Sequence, residues 1–145
     1  ETLVSPTQSP DARHRATGTF EIRMTPQPPY DSSDGIKLAR STISKTFHGQ
    51  LEATSSVEML SAMTSVEGSA GYVAIERVVG TLDGRTGSFV AQHNGAMARG
   101  EASLSVTIVP DSGTGALSGI AGRMTIEIVD KKHLYTLDYT LPAAE

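Results

Sequence analysis

Glu76 and His93 are the pair in this chain whose types and spacing could move a proton. They flank "GTLDGRTGSF", Gly80 to Phe89, where Asp83-Gly84 sits between runs that alternate in polarity, a strong hairpin signal. Counting outward from that turn sets Leu82 opposite Arg85, Val78 opposite Phe89, Glu76 opposite Ala91 and Ala74 opposite His93. One face then carries Tyr72, Ala74, Glu76, Val78, Phe89, Ala91 and His93. The other carries Val73, Ile75, Arg77, Val79, Ser88, Val90, Gln92 and Asn94. The first face holds the aromatic and small residues and is assigned to the interior. Glu76 and His93 become diagonal neighbours there, within reach directly or through one water. Desolvation is expected to raise the Glu76 carboxyl above the ~4.3 of a free glutamate, with a neighbouring imidazolium opposing the shift. Such a pair can serve as general acid and base. The plainer alternative is a structural pair in which two buried polar groups satisfy each other.

Other constellations point nowhere. The histidines and carboxylates lack the clustered spacing of a metal site, and no cofactor is expected. Gly113, Gly115, Gly119 and Gly122 are followed by neither a helix nor a lysine, so they form no phosphate loop. None of the serines sits in a nucleophile-elbow context. Arg77 and Gln92 fall on the opposite face, suited to an interface or a surface network, and Tyr135 and Tyr139 share a face suited to core packing.

The elements that must position the pair read as strands. "TGTFEIRMT" alternates, with Gly18, Phe20, Ile22 and Met24 on one face. "PQPPYDSSDG" interrupts as a surface loop that brings Tyr30 near a cavity mouth. "KLARSTISKTFHGQLEATSSVEMLSAM" reads as two strands folded at His48-Gly49, which sets Lys45 opposite Glu52 as an ion pair on the outer face. The hairpin already described follows, then "ASLSVTIV", the glycine-dense "PDSGTGALSGIAG", "RMTIEIV", the turn "DKKH" and "LYTLDYTL". Eight antiparallel strands in sequence order close most simply as a barrel, which leaves no free edge; a two-sheet sandwich is the runner-up. Residues 1–15, with two prolines and no periodicity, are assigned to a flexible tail, and 16–145 to a single barrel domain.

A net charge of −4 with no basic run argues against a nucleic-acid partner. No apolar run approaches the ~20 residues of a membrane helix. Without cysteine, bridges say nothing about redox compartment. The chain begins at Glu1, and a removed leader and a trimmed chain are equally compatible with that.

"ATGTFEIRM", "KTFHGQLEA", "ERVVGTLDGRTGSFVAQHNG", "GTGALSGIAG" and "YTLDY" together resemble the domain-of-unknown-function 3224 family, small barrels related to allene oxide cyclase and, more distantly, to dirigent proteins. The resemblance runs from about Ala16 to Leu141 and implies an eight-stranded antiparallel barrel whose interior can hold an apolar molecule, often in an oligomer. It implies no reaction. One departure is Asn94, where the family's "QHEG" carries a glutamate.

Two functions follow as expectations. The barrel is a binding module for a small apolar ligand, or a cofactor-free isomerase or cyclase in which Glu76 and His93 act on a substrate confined by Phe20, Met24, Tyr30, Tyr72 and Phe89. A non-catalytic carrier or oligomeric scaffold with a filled interior is the alternative, and a pocket of ~300 Å³ or more would favour a ligand. Apolar residues on both faces of "VAIERVV" point to a homodimer.

Overall fold

A computed structural model describes residues 13–142. Ten strands form one antiparallel sheet: β1 (Arg13–Pro26), β2 (Asp31–Ser33), β3 (Ile36–Gly49), β4 (Leu51–Met63), β5 (Ala70–Leu82), β6 (Arg85–Ala98), β7 (Glu101–Ile108), β8 (Thr114–Gly115), β9 (Ala121–Val129) and β10 (Lys132–Thr140). Eight long strands run in the order β1-β10-β9-β7-β6-β5-β4-β3, and pairing of β1 with β3 closes them into a barrel. The short β2 and β8 are additions on β3 and β6. No helix among the described residues is long and apolar enough to cross a membrane.

The β5–β6 hairpin has the register counted from its turn: Leu82 faces Arg85, Glu76 faces Ala91 and Ala74 faces His93. Asp83 and Gly84 both have positive φ, 48° and 83°, the two-residue turn whose twist matches that of the strands it joins. Side chains alternate as expected: Ala74, Glu76, Val78, Phe89, Ala91 and His93 are buried, while Val73, Ile75, Arg77, Gln92 and Asn94 are exposed.

Two expectations are corrected. Lys45 pairs with Ser55, not Glu52, and its side chain is buried. The β3–β4 turn does not close at His48-Gly49. Gln50 stands at its apex, accepting from the Thr17 amide and donating to Asp83, while the Gly49 amide donates to Glu52. These ties carry the pairing three residues further along β4. In addition, β1 begins at Arg13, so Arg13, His14 and Arg15, assigned to the tail, pair with Thr140, Tyr139 and Asp138. The rest of that tail lies outside the described residues.

The barrel is filled at one end. Phe47, Leu51, Leu82, Phe89, Leu137 and Tyr135 are each almost fully buried. They pack with Leu117 and Ile120, which the glycine-dense segment turns into the core. The Tyr135 hydroxyl accepts from the Leu51 amide at 3.0 Å and donates to the His48 carbonyl, tying β10 to the β3–β4 turn. Tyr139 donates to Asp83 in the β5–β6 turn. Burial first, then the Asp83 carboxylate, pushes the Tyr139 phenol well up, because ionising it there would strand a charge beside another.

Candidate functional site

The other end of the barrel is hollow. A cavity of about 190 Å³ is walled by Phe20, Ile22, Ile43, Val57, Met59, Ala74, Leu104 and Ile126, and Lys45, Tyr72, His93 and His133 supply its polar atoms. This is less than the ~300 Å³ expected of a drug-sized site. It exceeds the ~150 Å³ that holds a benzene molecule in an engineered protein cavity.

Glu76 lies beneath the cavity and is 1% exposed. Its Oε1 meets His93 Nε2 at 2.7 Å and Lys45 Nζ at 3.3 Å, and its Oε2 accepts from the Ser55 hydroxyl at 2.6 Å. The pairing of strands explains the cluster. Ser55 and Lys45 oppose each other across β3 and β4, and His93 stands diagonally from Glu76 across β5 and β6. Lys45 Nζ also sits 4.8 Å from the centre of the Phe20 ring, where the ring's π face adds a further attraction.

Glu76 was expected to have a raised pKa, and the structure reverses that. Burial does push the carboxyl up, but the His93 hydrogen bond, the Lys45 charge and the Ser55 hydroxyl together outweigh it and hold Glu76 below its ordinary value. It is an ionised, fully partnered carboxylate rather than a stored proton. An ionised carboxylate only accepts, so Nε2 must carry the hydrogen, and in the neutral ring Nδ1 is left with its lone pair. Nδ1 faces the Tyr72 hydroxyl at 3.4 Å. Burial, and secondarily the Glu76 charge, raise the Tyr72 phenol, which keeps its proton and can donate. A chain therefore runs from Glu76 through His93 to Tyr72, from the barrel interior to the cavity wall.

The residues expected to line the site divide. Phe20 and Tyr72 do line the cavity. Phe89 does not; it is 1% exposed and belongs to the packed end, because its position lies four residues along β6 from His93, toward the turn. Met24 shares the face of Phe20 but lies past the rim, 46% exposed. Tyr30, also largely exposed, borders a separate hollow with Leu38, Leu60 and one edge of Tyr72. Lys45 and Ser55 were missed. Their signal was parity: Lys45 shares its strand face with Ile43 and Phe47, and Ser55 shares its face with Ala53 and Val57.

No curated protein matches the chain. A crystal structure of a protein of unknown function from Shewanella oneidensis MR-1, of the DUF3224 family, is 47% identical, covers 91% of this chain and 100% of its own, and superposes with a TM-score of 0.86. The model of the family described as "Protein of unknown function (DUF3224)" matches residues 16–139, nearly the whole barrel. This chain belongs to the DUF3224 family.

Proposed function

We propose that the barrel binds one small, mainly apolar molecule in its open end and holds it by a single oxygen atom. The observation that carries this is the placing of Lys45, His93, Tyr72 and His133 in the wall of an otherwise apolar cavity. An apolar wall with a few convergent polar groups is the usual build of a small-molecule site. The volume suits a ring or a short chain. Titration of isotope-labelled protein with cyclohexanone, followed by nuclear magnetic resonance, tests the reading. Saturable shifts at Tyr72, Ala74 and His93 are expected. Shifts spread over the outer surface, or none, would remove it.

The Glu76–His93–Tyr72 chain favours a second, stronger reading, a cofactor-free isomerase or cyclase. In a carrier the same contacts serve to satisfy buried polar groups.

We also propose a homodimer formed through the outside of β4 and β5. Leu60, Val73, Ile75 and Val79 are each about half exposed there. With Arg40, Glu58, Gln92 and Asn94 the first three line a hollow of about 510 Å³. A twofold contact brings the same apolar patch from both copies together, with the Arg40–Glu58 pairs at its edge.

A further inference from the structure

We infer that the cavity enolises small carbonyl compounds, with His93 Nδ1 as the base and the Tyr72 hydroxyl as the group that binds the carbonyl oxygen. This rests on the ligand reading above and assigns it a substrate class.

The argument begins with spacing. In a ketone or aldehyde, the carbonyl oxygen and the α-carbon lie about 2.4 Å apart, as the bond lengths and a trigonal angle require. His93 Nδ1 and the Tyr72 hydroxyl stand 3.4 Å apart on one wall, a weak mutual hydrogen bond that a ligand can replace at both ends. One carbonyl unit can then set its oxygen on the phenol and its α-hydrogen toward the nitrogen. Both groups border the cavity, and Glu76 does not. Glu76 is therefore a positioning residue: it holds Nε2–H and so leaves the lone pair on Nδ1.

The step balances without a co-reactant. The α C–H bond breaks and its proton goes to His93 Nδ1. The electron pair forms the C=C bond while the C=O π pair moves onto oxygen, where the Tyr72 O–H stabilises it. The imidazolium that forms lies 2.7 Å from the Glu76 carboxylate, which offsets its charge. Return of a proton to the α-carbon re-forms the C=O bond and completes the exchange. Lys45 balances the resting charge of Glu76, so the site takes up a neutral carbonyl compound without burying a net charge.

Position also accounts for Gly95. It directly opposes Tyr72, and a Cβ on it would overlap the tyrosine ring. The ring occupies that space, which places its hydroxyl beside His93.

The test is α-deuteration of cyclohexanone in D2O, followed by proton magnetic resonance, with binding measured separately by the shift titration. We expect exchange at least ~100-fold faster than in buffer alone, the usual scale of one positioned general base. His93→Gln should lose at least ~100-fold, and Tyr72→Phe about 10-fold or more with saturable binding kept. If His93→Gln fails to fold, Tyr72→Phe decides alone. Binding without exchange above buffer would overturn the enolisation and leave the ligand reading standing. Exchange that survives Tyr72→Phe unchanged would show that the phenol takes no part and would overturn the proposal. Absence of any binding would overturn both.

Discussion

The ring of Tyr72 rests against the backbone of Gly95, its directly opposed partner across β5 and β6, with no room between them for a methyl group. A tyrosine over a cross-strand glycine is held on one side by backbone and leaves its polar end to choose a partner. Here that partner is His93 Nδ1. Gly95→Ala should push the ring off the strand, destabilise the barrel by about 1–3 kcal/mol as overpacking does, and separate the phenol from His93. Thermal unfolding reads the first effect. The Tyr72 ring resonances read the second, and an unchanged Tyr72 environment would contradict the placement.

Glu76→Gln tests the charge balance. It leaves the Lys45 ammonium buried beside a neutral amide, and breaking a buried pair in this way costs about 3–5 kcal/mol. Pairing Glu76→Gln with Lys45→Met should recover part of that loss, because neither charge then remains. Denaturant unfolding of the two single variants and the double variant measures the coupling.

The same carboxyl sets an acid limit. Its value in the folded chain lies below that in the unfolded chain, which is about 4.3. The stabilisation from Glu76 is therefore fully present above that pH and is lost as pH falls through the folded value. Stability should decline in acid for the native chain, and Glu76→Gln should flatten that decline. Equal slopes for both proteins would show that other carboxylates dominate.

Alkali should act through the tyrosines. Burial raises Tyr72, Tyr135 and Tyr139 above 10, and Asp83 adds to it for Tyr139. A phenol whose folded value is raised contributes stability that is whole below about 10 and fades as pH climbs toward the folded value. Spectrophotometric titration should show these three ionising late, with Tyr139 the last. Tyr135→Phe should cost about 1–3 kcal/mol, because the buried Leu51 amide loses its acceptor.

Ile75→Glu sets a charge in the middle of the outer apolar patch. Light scattering at tens of micromolar should find the native chain dimeric and this variant monomeric, with the circular dichroism of the barrel unchanged. A monomeric native chain would end the dimer proposal.

The β5–β6 register could be read residue by residue because its turn is local: two residues with positive φ leave one way to pair the strands. From that register follow the inward direction of Glu76 and His93, their contact, and the exposure of Val73 and Ile75. Parity along each strand, together with eight alternating segments, likewise implied the barrel. The β3–β4 turn behaved differently, since Gln50 is held by Thr17 on β1 and Asp83 in a distant turn. Such contacts exist only after the barrel closes, so counting placed Glu52 where Ser55 stands. The ionisation of Glu76 turned on that same closure. Burial could be inferred from one hairpin, but Lys45 and Ser55 arrive from neighbouring strands, and their charge and hydroxyl outweigh the desolvation that burial brings. The split between a packed end and an open end also lay beyond local reading. It depends on where the glycine-dense segment delivers Leu117 and Ile120, a matter of loop path rather than of strand period.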